Sequence, residues 1–225
     1  MEKVVYFKEF LENLNFFVQE AKKGKIFVYP TDTVYGMGGV FPGSLEKVFE
    51  IKKRPKNKKV SIIYSLRSDE RFRWEQMRLE DLIGYLKESV ELVWREVLEL
   101  NFDTDKLLRT LVKLWTDWRG FTLVGKMKDS FFESLNDFAK EIYSDRTLGV
   151  RILNSDFQLF VNRLWLPFIT TSANLSGQNV IKKIQDLPGE IKENVDWIVD
   201  AGSLGGNPSV LVKVLNWKVE LVERN

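Results

Sequence analysis

Short apolar runs, each suited to one strand, recur along the chain, and segments with helical spacing separate the earlier ones. That alternation constrains the fold more than any other feature. Ile26-Phe27-Val28-Tyr29 is such a run, halted by Pro30, and the others fall at 60–64, 121–124, 148–153, 168–171, 197–200, 210–214 and 219–222. Phe7, Phe10, Leu11, Leu14 and Val18 follow the i, i+3, i+4, i+7 rhythm, with Gly24 as the expected stop. Leu45, Val48 and Phe49 predict a second helix capped by Ser44, and further helices are expected at 131–142 and 157–164. From 67 to 118 the chain reads as mostly helical, with Leu82, Ile83, Leu86, Val90, Val93 and Val97 as its inner face. Short Gly/Asn turns between the closing strands make part of the sheet antiparallel. The expectation is one α/β domain over 1–225, a single-domain twisted mixed sheet with flanking helices, without linker, repeat or low-complexity tract.

The chain has no Cys and no His. Metal sites built on thiolate or imidazole, Cys nucleophiles and Ser-His-Asp triads are therefore excluded, and no disulfide supports the fold. With 34 Lys+Arg against 32 Asp+Glu, bulk attraction to nucleic acid is too weak to argue from, so anion binding must come from local clustering. The first residues alternate charge with apolar side chains, no segment has the roughly 18–20 apolar residues of a membrane span, and Cys is absent. The expected location is cytoplasmic, with no membrane partner.

Four segments can carry chemistry. Tyr29-Pro30-Thr31-Asp32-Thr33-Val34-Tyr35-Gly36-Met37-Gly38-Gly39 joins a strand end to hydroxyls, one carboxylate and glycines. Loops at strand carboxyl ends are where open α/β sheets bind ligands, although Thr in such a loop also serves local turn bonding. Residues 52–59, Lys-Lys-Arg-Pro-Lys-Asn-Lys-Lys, hold six basic residues in eight and no acid. Cations after a helix complement its dipole, but this density is more easily tolerated if a polyphosphate or an RNA backbone neutralises it. In Ile169-Thr170-Thr171-Ser172-Ala173-Asn174-Leu175-Ser176-Gly177, Ser172 and Asn174 share one side of an extended backbone and can offer two neutral donors, or else cap a turn. The stretch 200–209, Asp-Ala-Gly-Ser-Leu-Gly-Gly-Asn-Pro-Ser, reads by itself as a turn.

Taken together, these segments resemble the YrdC-like family of threonylcarbamoyl-adenylate synthases, in its short, single-domain form. The likeness is carried by Y-P-T-D-T-V-Y-G at 29–36, F-E-I-K-K-R-P at 49–55, T-L-V at 122–124, V-R-I at 150–152, T-S-A-N-L-S-G at 171–177 and D-A-G…N-P-S-V at 200–210. It runs from about residue 5 to the end and is weakest over 67–118. Where relatives often carry a His after the basic segment, this strand has Ile63 and Tyr64.

The resemblance implies a deep basic groove in which ATP, L-threonine and bicarbonate form threonylcarbamoyl-AMP and pyrophosphate. That product serves the N6-threonylcarbamoyl modification of adenosine-37 in tRNA, through the pathway proteins that receive it. The family's phosphate-holding tetrad falls on Lys52, Arg54, Ser172 and Asn174. Lys58, Thr122, Arg151 and Arg224 are implied nucleotide contacts; Thr31, Tyr35, Lys126, Ser172 and Ser209 are implied threonine contacts. Mg²⁺ is expected on the ATP phosphates, with no protein ligand of its own. The other expectations are an RNA-binding or ribosome-associated protein without synthase activity, meeting tRNA or double-stranded RNA, and a carbamoyl-transfer enzyme for another amine.

Overall fold

The computed structural model describes residues 3–66, 78–99, 103–117, 119–215 and 218–223. Among these residues eleven strands make one continuous mixed sheet. In chain order they are β1 (Val4–Tyr6), β2 (Phe27–Tyr29), β3 (Gly36–Gly38), β4 (Ser61–Ile63), β5 (Leu98–Glu99), β6 (Phe121–Met127), β7 (Thr147–Ile152), β8 (Phe168–Ser172), β9 (Trp197–Asp200), β10 (Val210–Leu215) and β11 (Lys218–Val222). Their spatial order is β1-β9-β2-β3-β8-β4-β7-β6-β10-β11, with β5 beside β6. Pairs β1/β9, β2/β9, β4/β7 and β6/β10 are parallel and the others antiparallel, including the expected closing hairpin β10/β11.

Helices cover the sheet from both sides: α1 (Phe7–Glu12), α2 (Leu14–Lys22), α3 (Leu45–Ile51), α4 (Leu79–Glu96), α5 (Thr104–Thr116), α6 (Asp129–Glu133), α7 (Asp137–Ile142), α8 (Phe157–Leu164) and α9 (Gly189–Asn194). One core is aromatic and lies under α1, α2 and α8. In it Phe10, Phe17, Phe157 and Phe160 meet Phe27, Tyr29 and Phe168 from the strands, and Tyr29 stacks on Phe157 at 4.0 Å. The larger, mainly aliphatic core packs α3, α4, α5 and α7 on the opposite face. Among the described residues no helix is long and apolar enough to cross a membrane.

Several elements differ from expectation for identifiable reasons. The first helix breaks at Asn13, whose side-chain amide donates to the Glu9 carbonyl at 2.9 Å and so competes with the helical bonding there. Helix 131–142 is likewise two helices, α6 and α7. Ser44 stands before α3, but its side chain makes no capping bond. On α4, Leu82, Leu86, Val90 and Val93 face inward and Val97 beyond it is buried, whereas Ile83 is 41% exposed. The expected helical stretch is carried by α4 and α5; residues 67–77, 100–102 and 118 lie outside the described residues. The glycine-rich segment after Tyr35, read as a loop, contains β3, because Gly36 and Gly38 let that strand lie between β2 and β8.

Candidate active site

Beside the paired ends of β3 and β8, a cavity of about 220 Å³ opens between the turn at 31–36, strands β6 and β7, the end of β8 and the 208–209 segment. Its walls bring together Thr31, Tyr35, Thr122, Arg151, Ser172, Asn174 and Ser209, seven residues anticipated from sequence. Lys52, Arg54, Lys58 and Lys126 do not line it, and Arg224 lies outside the described residues.

The turn is built by its own hydroxyls. Thr31 Oγ1 donates to the Val34 carbonyl at 2.6 Å and accepts from the Thr33 amide at 3.1 Å. This is the local Thr bonding that the sequence offered as an alternative to ligand contact. Tyr35 is fully buried; its hydroxyl donates to the Gly202 carbonyl at 2.8 Å and accepts from the Ala201 amide at 2.9 Å. Burial pushes that phenol up to about 12, so it stays a donor at any ordinary pH. Tyr35 thereby anchors the 200–202 segment, which begins the approach to Ser209.

Arg151, on β7, is the single charged residue lining the cavity among the described residues. Its guanidinium donates to Asp32 Oδ1 at 2.7 Å and to the Phe121 carbonyl at 2.9 Å, and the ion pair is almost wholly buried. The pair needs Gly120: a Cβ there would lie 2.2 Å from the Arg151 guanidinium and 2.6 Å from the Asp32 carboxylate. Beside Arg151, on the neighbouring strand, the Thr122 hydroxyl bonds the Ser209 hydroxyl at 3.0 Å. The Asn174 amide donates to the Leu175 and Gln178 carbonyls at 3.0 and 2.6 Å, which leaves its buried Oδ1 without a partner among the described residues. As placed, Asn174 spends its donors on its own loop and presents none to a phosphate oxygen.

The two tetrad cations turn inward. Lys52 is 1% exposed, and its amino group donates to the backbone carbonyls of Ser172 and Asn174. Arg54 closes its own loop on the carbonyls of Lys58 and Lys59, at 2.5 and 2.6 Å. Burial, reinforced by the nearby Arg54 guanidinium, pushes the Lys52 pKa down to about 7. The unfolded chain, with its ordinary Lys value, then binds more protons than the folded one between pH 7 and about 10. Stability should rise across pH 7–9 by up to about 1.4 kcal/mol per unit, and Lys52→Met should remove that rise in urea midpoints measured at each pH.

Three of the remaining basic residues of 52–59 stand beside carboxylates. Lys53 pairs with Glu190 at 2.9 Å, Lys56 with Glu141 at 2.7 Å and Lys59 with Asp145. Carboxylates far off in sequence supply the neutralisation that sequence reading assigned to an anionic ligand. Lys58 is exposed, as is Lys126, which follows Thr122 by roughly 13 Å along β6.

Thr33, Thr170 and Pro208, from the segments named above but not singled out there, also line the cavity, as do Ser61 and Gln178 from outside those segments. Ser61 and Thr170 are directly opposed across β4 and β8, next to the buried Ile62–Ile169 pair. The signal was there to find: a small polar residue alternating with Ile in each of two predicted strands.

The sequence pattern of the family designated Sua5_yciO_yrdC, described as telomere recombination, matches residues 19–83 and 97–224. Over 207 residues the chain is 26% identical to the threonylcarbamoyl-AMP synthase of Pseudoalteromonas translucida, covering 88% of this chain and 90% of that one. The crystal structure of P. abyssi Sua5 complexed with L-threonine superposes with a TM-score of 0.63 at 19% identity, covering 94% of this chain; this chain spans 53% of that protein. E. coli YciO gives the same TM-score, 0.63, at 17% identity, covering 94% of this chain and 88% of that one.

Proposed function

The chain belongs to the Sua5_yciO_yrdC family, and from that membership we propose that it is an L-threonylcarbamoyladenylate synthase. The observation that carries the proposal is that residues from separate segments of the chain, Thr31, Thr122, Arg151, Ser172, Asn174 and Ser209, line one cavity. Its walls offer hydroxyls and one guanidinium, a set suited to a small polar zwitterion. At about 220 Å³ it is smaller than the roughly 300–1,000 Å³ of pockets that enclose drug-sized ligands. The amino acid would sit inside and the nucleotide would extend beyond it.

The chemistry asks for no enzyme nucleophile. The threonine amine and bicarbonate give a carbamate with loss of water; a carbamate oxygen then attacks the α-phosphorus, and the bond to the bridging oxygen breaks as pyrophosphate leaves. Positioning of the two reactants and neutralisation of charge are what the protein must supply. Asp32 holds Arg151 at the wall, and the Thr122–Ser209 pair fixes two hydroxyls beside it. Mg²⁺ would be a companion of the ATP phosphates, and the carboxylate behind this wall, Asp32, is engaged by Arg151. The product would pass to the tRNA-modifying proteins of the threonylcarbamoyl pathway in the cytoplasm.

RNA binding without synthesis is not favoured by any contact described above, because three of the cations it would use are paired with carboxylates. Pyrophosphate release from ATP and Mg²⁺, with L-threonine or bicarbonate omitted in turn, tests the proposal. Release is expected only when both are present. Release that needs bicarbonate but accepts a different amine in place of threonine would redirect the assignment to carbamoyl transfer, and no release at all would sink it.

A further inference from the structure

The 172–174 segment is held from two sides. β8 ends at Ser172 and the chain bends at 173–174, where the Ala173 amide still faces β3 and donates to the Tyr35 carbonyl at 2.8 Å. The carbonyls of Ser172 and Asn174 face the other way, towards the β4 side. There β4 begins at Ser61, paired with Thr170, and offers no strand residue opposite them. The Lys52 amino group takes the place of the missing strand donors, bonding both carbonyls, while the Lys52 carbonyl accepts from the Ser176 amide at 3.3 Å.

We propose that Lys52 is a positioning residue, whose amino group completes the ladder on the free side of residues 172–174 and sets Ser172 and Asn174 at the cavity wall, in place of meeting a substrate phosphate itself. Neutral or charged, the group keeps the two N–H donors this requires. The inference rests on the proposed function only for the choice of ligands.

The test compares Lys52→Met with the unmodified protein in two ways. Calorimetric binding is measured separately for L-threonine and for ATP with Mg²⁺, and amide exchange is followed at Ala173 and Ser176. A positioning role weakens both ligands, L-threonine by roughly tenfold or more, and speeds exchange at both amides by a similar factor. Weakened ATP with unchanged threonine affinity and unchanged exchange would mean a phosphate contact and overturn the proposal. If the unmodified protein binds neither ligand, the synthase reading fails and the exchange result alone decides the role of Lys52. If Lys52→Met does not fold, scalar couplings from the Lys52 Nζ to the Ser172 and Asn174 carbonyl carbons are measured in the unmodified protein. Couplings present in the free protein and kept on adding ATP and Mg²⁺ support the clasp; their absence, or their loss on adding nucleotide, rejects it.

Discussion

Asp32→Ala is expected to destabilise the protein by about 3–5 kcal/mol, because it leaves the Arg151 guanidinium buried without a counter-charge. Arg151 is 4% exposed, and its remaining acceptors among the described residues, the Phe121 carbonyl and the Thr33 hydroxyl, carry no formal charge. Taking both charges away is a smaller insult, since the desolvation cost of the pair disappears with it. The double variant Asp32→Ala/Arg151→Met should therefore regain a large part of the loss, and urea denaturation of the three proteins measures it. A single variant that costs less than about 1 kcal/mol would place the pair among solvated surface bridges and remove the reason for Gly120 beside it. In the synthase reaction the double variant should be inactive even though it folds, which separates the stability role of the pair from its role at the wall.

Gly38→Ala should be at least as damaging. A Cβ at this position would stand 1.8 Å from the Ile169 carbonyl oxygen and 2.7 Å from its carbon, both backbone atoms within β8. No rotamer change relieves a clash with backbone, so β3 or β8 must move, and the paired ends of these strands line the cavity. Overpacking ordinarily costs about 1–3 kcal/mol, and a clash with an immovable partner belongs at or above the upper end. Thermal unfolding should show a transition lowered by about 10 °C or more, or no cooperative transition. Gly43→Ala is the control: a Cβ there meets nothing within 4 Å, and near-native melting is expected.

The sheet was legible wherever apolar runs were long enough to bury themselves. Runs such as 121–124 and 148–153 declared β6 and β7, and the short closing turns declared the β10/β11 hairpin. β3 was not legible, because its sequence, Gly-Met-Gly, carries the composition of a turn. Its strand character comes from neighbours at 27–29 and 171–172, which no local pattern reveals. The candidate site divides in the same way. Thr31, Ser172 and Asn174 stood out because hydroxyls and amides cluster at a strand end. The inward course of Lys52 and Arg54 was hidden, since a run of cations reads as a charged surface whatever its individual side chains do. The partners of Lys53, Lys56 and Lys59 lie 85 or more residues away, beyond the reach of any window on the sequence.

One consequence of the strand order concerns how the protein is made. β1, at Val4–Tyr6, and β2, at Phe27–Tyr29, both take β9, at Trp197–Asp200, as their parallel neighbour. At about 5–20 residues per second, a ribosome needs roughly 10–40 s to synthesise the stretch between the first of these strands and the last. Once β2 is made, and for most of that interval, the nascent chain carries two finished strands with α1 and α2 beside them while their bridging strand is still unmade. The amino-terminal half can collapse early, but it cannot close until nearly all of the chain has emerged.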